Sequence, residues 1–375
     1  MQSSNMLTFE NLFHSYLYYI PLNQRGYSWN EQQIEDIFSD LNLLNYNVNN
    51  KHQDVSKHYF GPVIIRSFSN PHDKDGRTQS ACSLDDGQQR ITTFYILIDI
   101  IFRRLEELKK TSNDADRKSD INRICTDLEK LLFWHDLSKG KTRRLVNDNH
   151  DLNHYFNQLL EGNNVIINSS PKKQLKKTYN WAVDRYSNFD FDKIKKDLND
   201  LLHNSLFIRL DLADKKVDRY LTFDAINSRG LPLTQFDKIK NYCMLIYERC
   251  NCTANIKPDE EWYSSISILD NFGVGDRTNE NIFINDLLSV FLFRKIQIEK
   301  THERFVDTFK DLLSHCDENE FLLNKLNEFI NLWAIYAQAF GVISTKNSSK
   351  RSGDSKITPI CDDWLTKRDN IAYYN

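Results

Sequence analysis

At 375 residues the chain has room for two domains, or for one core with a large helical addition, and a 40% hydrophobic content excludes general disorder. No apolar run approaches the roughly 20 residues that cross a bilayer, and the first residues lack the basic-then-apolar pattern of a secretory signal, so a soluble, cytoplasmic protein is expected. The net charge of −3 excludes a uniformly polybasic nucleic-acid binder, though not a local basic patch.

Over the first 45 or so residues the pattern reads helix, strand, loop, helix. Phe9, Leu12, Phe13 and Tyr16 recur at helical spacing, and Tyr18-Tyr19-Ile20 is a short strand stopped by Pro21. Asn30 is placed to cap the next helix, whose apolar stripe is Ile34, Ile37, Phe38, Leu41 and Leu44. Between them, Gln24, Arg25, Tyr27 and Trp29 lie on a polar segment joining two ordered elements, where functional loops occur. Residues 59–65 predict a strand, 67–80 a hairpin connection broken at Asn70-Pro71 and Asp75-Gly76, and 81–84 the partner strand. After Asp85-Asp86-Gly87, the spacing of Ile91, Phe94, Tyr95, Ile98, Ile101, Phe102 and Leu105 predicts an amphipathic helix. Residues 112–189 read as mainly helical, 206–210 as a strand, 220–226 as a short helix, and Asn227-Ser228-Arg229-Gly230 as a turn. Thr234 then caps a helix running through Phe236, Ile239, Tyr242, Cys243 and Ile246. Beyond 255 the pattern is nearly all helical, including 282–295 and 321–340, with a polar loop at 344–355. No internal repeat or sustained heptad is present.

Several features carry a plain structural reading. The seven cysteines (Cys82, Cys125, Cys243, Cys250, Cys252, Cys316 and Cys361) are odd in number and scattered, which predicts structural thiols and no disulfide framework. The basic run at 139–144 and the group Lys172, Lys173, Lys176 and Lys177 read as solvated faces, with local DNA contact as the alternative. Gly140-Lys141-Thr142 has the tail of a phosphate loop, but His135 stands where its first glycine belongs. His150 and His154, four apart, read as surface residues more readily than as a metal site.

Asp85 to Arg90 carries more chemistry. Gly87 at a strand end permits φ above zero and close approach of a ligand to the backbone. The helix that follows starts near Gln89 and presents free N–H groups and the positive end of its dipole. Arg90 adds donors suited to phosphate, and Thr92 and Thr93 add hydroxyls, so the turn reads as an anion-binding helix start. Asp85 and Asp86 would repel phosphate unless a cation intervenes, and Mg²⁺ fits because it binds one or two carboxylates together with phosphates. The competing reading is an i, i+4 ion pair between Asp86 and Arg90 that stabilises the helix start. Asp237 and Lys240, three apart, share a helix face and can pair.

Three segments occur in a fixed order: Ile20-Pro21-x-x-Gln24-Arg25-x-Tyr27-x-Trp29, Asp86-Gly87-Gln88-Gln89-Arg90-Ile91-Thr92-Thr93, and Phe223-x-x-Ile226-Asn227-Ser228-Arg229-Gly230-x-Pro232-Leu233. Together they resemble the N-terminal domain of GmrSD-type and SspE-type restriction proteins, clearly over residues 5–250 and loosely beyond. Tyr59-Phe60-Gly61 and Arg144-Leu145-Val146-Asn147-Asp148 also fit the spacing, whereas Asn23 stands where the family commonly has an aromatic. The resemblance implies an α+β fold, with a small mixed sheet like that of ParB and sulfiredoxin followed by a mostly α-helical region. The division it suggests is a nucleotide-binding core at 1–110, a helical insertion with a returning strand and helices at 111–250, and a helical region at 251–375.

The implied activity is NTP binding and hydrolysis in a regulatory module of a restriction or anti-phage system. The catalytic residues would be Asp86, Gln88, Gln89, Arg90 and Arg25, with Arg25 stabilising the transferred phosphoryl group. Gln24, Gly87, Thr92, Thr93, Asn227, Arg229 and Lys240 would bind nucleotide, and Asp85 and Asp86 would hold Mg²⁺. The partners implied are ATP or GTP, modified or phage DNA, a nuclease domain or subunit, and further copies of the chain, with no membrane. Two other functions stay open: a modified-DNA sensor without turnover, and a Mg²⁺-dependent nuclease in its own right.

Overall fold

The computed structural model of the chain describes residues 6–14, 16–21, 24–49, 57–70, 79–136, 140–167, 169–213, 233–250, 256–313, 315 and 319–344. The expectations at Asn23, Asn227 and Arg229, for the helix at 220–226, and for the loop at 345–355 lie outside those residues. The chain divides into two compact units, Met1–Val217 and Asp218–Asn375.

The first unit is built on a six-stranded mixed sheet. Its strands are β1 (Met6–Thr8), β2 (Leu17–Ile20), β3 (His58–Asn70), β4 (Gln79–Asp86), β7 (Leu145–Asn147) and β8 (Ser205–Asp211), in the order β1-β8-β3-β4-β2-β7. β3 and β4 form the predicted antiparallel hairpin, longer than expected at both ends, with Phe68 opposite Ala81. Near its open end the register slips: Ile65 faces Leu84 and Ile64 faces Asp86, which leaves Asp85 as the extra residue of a bulge. Bulges re-aim side chains and end pairing, and this one sits where the strand must hand over to a helix. β4, β2 and β7 run parallel, so their carboxyl ends lie along one edge of the sheet.

Helices α1 (Phe9–His14), α2 (Glu31–Asn49), α3 (Gln88–Thr111), α4 (Ala115–Leu132), α5 (His150–Leu160), α6 (Ser170–Ser187) and α7 (Phe191–Asn199) complete this unit. α2 starts as expected: Gln32 N–H donates to Asn30 Oδ1 at 2.9 Å, while Asn30 N–H donates to Gln33 Oε1 at 2.8 Å, a reciprocal capping box. The first half of α3 differs from the amphipathic expectation. Every residue from Ile91 to Ile101 is buried, because the sheet lies on one side and α4 and α6 pack on others. A helix enclosed all round carries apolar residues all round.

Three strands fall inside the stretch expected to be helical: β5 (Phe133–Asp136), β6 (Gly140–Arg143) and β7. β5 and β6 pair as a separate two-stranded ribbon. The reading of 139–144 as a solvated or DNA-binding run is corrected at two positions. Arg143 is buried and pairs with the fully buried Asp99 at 2.5 Å, and Arg144 is buried with its Nε donating to Lys130 O at 2.9 Å. Lys172 is likewise buried and paired, with Asp151 at 2.8 Å. β1 is also new, and Tyr16 lies outside α1, under the Arg209 guanidinium at 5.1 Å.

The second unit is helical, with α8 (Gln235–Arg249), α9 (Pro258–Asn271), α10 (Arg277–Phe291), α11 (Thr301–Phe309) and α12 (Glu320–Ser344). Phe236, Trp262, Phe283, Phe329 and Trp333 anchor a core of its own. Thr234 caps α8 as expected, exchanging hydrogen bonds with Asp237 at 3.0 and 3.1 Å. Cys82, Cys125 and Cys243 are buried thiols, but Cys250 is disulfide-bonded, which corrects the expectation of thiols at that position. The α+β architecture with a mixed sheet and a following helical region is as expected from the sequence. No helix among the described residues is long and apolar enough to cross a membrane.

Candidate functional site

The parallel order of β4, β2 and β7 dictates where a site can form. Each of these strands ends on the same edge and is followed by a connection into a helix: α3 after β4, α2 after β2, α5 after β7. Crevices outside the carboxyl ends of parallel strands collect helix N-termini and are the usual ligand sites of such sheets.

The α3 turn is the tightest of the three. Gly87 adopts φ 90° and ψ 4°, and a Cβ there would stand 3.2 Å from Val63 Cγ2 and 3.4 Å from Pro62 O. Only glycine meets both demands at little cost. Gly87 is the N-cap, no side chain caps the first turn, and the first helical hydrogen bond runs from Ile91 N–H to Gly87 O. The N–H groups of that turn lack intrahelical partners and carry the positive end of the dipole. By contrast, Asn149 caps α5 with its own side chain, accepting from Leu152 N–H at 2.8 Å.

The glutamines of the motif fasten the loop after β2 onto this helix start. Gln89 Oε1 accepts from Ser28 N–H at 2.8 Å and its Nε2 donates to Gly26 O at 3.2 Å. Gln88 Nε2 donates to Arg25 O at 2.9 Å, and Gln24 Nε2 reaches back to Asp85 O at 2.8 Å. Tyr27 closes the arrangement from below: its hydroxyl bonds Thr93 Oγ1 at 2.7 Å and accepts from Thr178 Oγ1 at 3.1 Å. Burial pushes the Tyr27 phenol up to about 12 against the opposing pull of those two hydroxyls, so it is neutral at physiological pH.

The charged residues face a different way. Arg90 donates to Phe60 O at 3.0 Å and Pro62 O at 2.6 Å, and meets Asp86 Oδ2 at 3.4 Å. The i, i+4 pair expected as the alternative reading is therefore present, but it accompanies two stronger bonds to β3. Gly61 leaves the room for it, since a Cβ there would meet Arg90 Nη1 at 2.3 Å. Burial pushes the Asp86 carboxyl above its ordinary range, while Arg90 and the Gly87 N–H pull it back. Asp85 is 3% exposed and engaged by Arg66 at 3.5 Å and Ser83 at 3.2 Å.

A pocket opens beside this helix start, with about 390 Å³ of empty space including its mouth. Arg25, Tyr27, Gln88, Gln89, Thr92 and Asn147 supply its polar wall, and Ile20, Leu145, Leu152, Phe156 and Leu175 the apolar part. The structure thus gathers Arg25, Gln88, Gln89 and Thr92 around one cavity. Gln24, Gly87 and Thr93 support that cavity from behind, and Asp85, Asp86 and Arg90 lie toward β3. Lys240 belongs to the second unit, where it is buried with Nζ 4.4 Å from the Trp262 ring centre.

The sequence reading had not assigned Asn147 to the site. It ends β7, accepts from Asn149 N–H at 2.9 Å through Oδ1, and donates its own N–H to Asn153 Oδ1. The polar run Asn147-Asp148-Asn149 before an apolar helix was the available signal. The neighbouring Asp148 carboxyl is pushed up by burial.

Two carboxylates held by different arginines do not form a ready-made cation cage. Among the described residues no group of three or more His, Cys, Asp or Glu is placed to hold a metal ion. Asp86, next to the α3 start but turned toward Arg90 and β3, is the carboxylate that would be available to a Mg²⁺ ion arriving with phosphates.

The family model for the GmrSD restriction endonuclease, N-terminal domain, matches residues 9–244, which is more than half of the chain and includes every pocket residue. No curated protein matches the chain.

Proposed function

We propose, from the premise that this chain belongs to the GmrSD restriction endonuclease N-terminal domain family, that it binds and hydrolyses a nucleoside triphosphate and thereby controls DNA cleavage in restriction and anti-phage defence. The observation that carries this reading is the α3 N-terminus, uncapped by any side chain and adjoining the pocket that Arg25 lines. Backbone N–H groups and a helix dipole favour an anion there, and an arginine adds geometry suited to phosphate.

In this reading the nucleotide's phosphates sit over Gln88 and Gln89 N–H, with Arg25 spreading charge from the transferred phosphoryl group. A water oxygen forms the new bond to the terminal phosphorus, the bond to the bridging oxygen breaks, and the nucleoside diphosphate leaves with that electron pair. The water's proton passes to solvent. Gln88 and Gln89 act as positioning residues, because their side chains are committed to the backbone of residues 25–28. Thr92 and Asn147, on the pocket wall, would orient water or the rest of the nucleotide. Arg90 positions the turn by tying β3 to the α3 start. Mg²⁺, held by Asp86 and the phosphates, would supply charge neutralisation. Cleavage itself is assigned to a nuclease domain or subunit that the module serves.

Equilibrium binding of ATP and GTP with Mg²⁺ tests the reading. Loss of a charge-assisted contact is worth about 1.5–3 kcal/mol, so Arg25→Ala should bind roughly tenfold or more weakly. Equal affinity in wild type and variant would remove Arg25 and the pocket from the account.

A further inference from the structure

Three hydroxyl groups from three elements meet behind the candidate site. Thr178 lies on α6, Tyr27 on the loop after β2, and Thr93 in α3. All three are buried, Thr93 and Thr178 completely. The direction of each bond between them follows from counting hydrogens. Thr93 Oγ1 donates to Gln89 O at 2.8 Å, so it can only accept from the Tyr27 hydroxyl, 2.7 Å away. Burial pushes the Tyr27 phenol up to about 12, so it keeps the hydrogen that it gives to Thr93. The same phenol oxygen accepts from Thr178 Oγ1 at 3.1 Å. The bonds therefore run one way, from Thr178 to Tyr27 to Thr93 to Gln89 O, and end on a carbonyl in the first turn of α3.

Thr178 is the member of this series that had another choice. A helical threonine readily bonds the carbonyl one turn earlier. Thr93, Thr126 and Thr308 do so, at 2.8, 2.9 and 2.8 Å. Thr178 instead sends its hydrogen out of its own helix to the loop that carries Arg25. Two further contacts bring α6 to the same place: a Cβ on Gly26 would meet Pro171 Cγ at 2.3 Å, and Leu175 lines the pocket together with Arg25 and Tyr27. Pro171, Leu175 and Thr178 follow helical spacing, so one face of α6 makes all three contacts.

We propose that Thr178 is a positioning residue for the reaction, fixing through Tyr27 the loop that holds Arg25 at the α3 start. Apolar contacts such as those of Pro171 and Leu175 resist separation, but hydroxyl bonds also set direction. A buried series in which every hydrogen is used specifies one arrangement, because any shift strands a polar atom away from water. An arginine that acts on a transferred phosphoryl group needs that definition. The hold on the loop stands by itself, and its effect on turnover rests on the NTP reading above.

Thr178→Val removes the hydroxyl and keeps the branched shape, while Thr178→Ser keeps the hydroxyl. Amide hydrogen exchange of the full chain without nucleotide reads the loop through Gln24 and Ser28, whose N–H groups bond Pro21 O and Gln89 Oε1. Both amides should exchange faster in Thr178→Val, with α4 at wild-type rates, and Thr178→Ser should match wild type throughout. In steady-state phosphate release, Thr178→Val should lower kcat roughly tenfold to a hundredfold, as a misplacement of about 1 Å can do, with a smaller change in KM. Thr178→Ser should recover that loss. Tyr27→Phe breaks the same link, so the double variant should lose less than the product of the single losses. Wild-type exchange at Gln24 and Ser28 in Thr178→Val overturns the proposal, and so does an unchanged kcat where wild type turns over. Faster exchange that extends to α4, fully multiplicative losses, or a loss that Thr178→Ser does not recover also overturns it, since Thr178 would then act through packing. Faster exchange confined to the loop, in a protein whose wild type releases no phosphate, retires the NTP reading and leaves the hydroxyl hold standing.

Discussion

Asp86 shows how one side chain can serve structure and titration together. Its carboxyl is raised by burial, with Arg90 and the Gly87 N–H acting against that shift. An acid whose folded value lies above its unfolded value of 3.8 takes up a proton in the folded chain first as pH falls. Its ionisation therefore costs stability at neutral pH, and that cost is relieved between the raised folded value and 3.8. Urea unfolding of wild type and Asp86→Asn over this window should show wild type gaining stability relative to the variant as pH falls. A difference independent of pH would place the Asp86 carboxyl in its ordinary range. Protonation also weakens its attraction for Arg90 and for Mg²⁺, so nucleotide affinity should fall over the same window. The chemical identity of these residues was legible from their order in the chain; their directions were not. A sequence places Arg90 one turn into a helix, but only the bulge at Asp85 and the room at Gly61 turn its guanidinium toward β3.

At the scale of elements, the unit of the site is the junction of the loop after β2 with the start of α3. Gln89 makes two of the bonds that clamp residues 26–28, each worth about 0.5–1.5 kcal/mol net. Gln89→Ala should cost about 1–3 kcal/mol in denaturant unfolding, well below the roughly 5–15 kcal/mol that holds a domain together, so the fold survives. Nucleotide affinity should drop nonetheless, because Arg25 rides on the released loop. Unchanged affinity would mean that Gln88, Gln24 and Tyr27 hold the loop in place without Gln89. The β3–β4 hairpin and α3 were readable because strand alternation, an Asp-Gly break and a strong apolar run coincide. β5, β6 and β7 were not, since strands of three or four residues without apolar alternation carry no periodic signal. The same shortness hid Asn147, which becomes a site residue only when β7 pairs with β2. Arg143 and Arg144 misled for a related reason: a basic run looks solvated until partners on other elements meet it, Asp99 for Arg143 and the Lys130 carbonyl for Arg144.

For the whole molecule, two units with separate cores predict separable responses. A ligand that binds only the folded first unit stabilises it by mass action, about 2.7 kcal/mol at a hundredfold excess over Kd. ATP or GTP with Mg²⁺ should therefore raise the melting transition of the sheet-containing unit and leave the helical unit's transition in place. Equal shifts in both would show that nucleotide energy is shared across the chain. The family match spans all of the first unit's site and ends within α8, so the candidate pocket lies wholly within the matched part.

If the α3 pocket turns over a nucleoside triphosphate, phosphate release from ATP and GTP with Mg²⁺ reads that turnover. Wild type should release phosphate. Arg25→Ala should lose turnover by losing charge stabilisation, and Arg90→Ala by misplacing the turn, with both variants shown folded by circular dichroism. No release by wild type with or without DNA, or release unchanged in Arg25→Ala, would show that this pocket is not a nucleoside triphosphatase site.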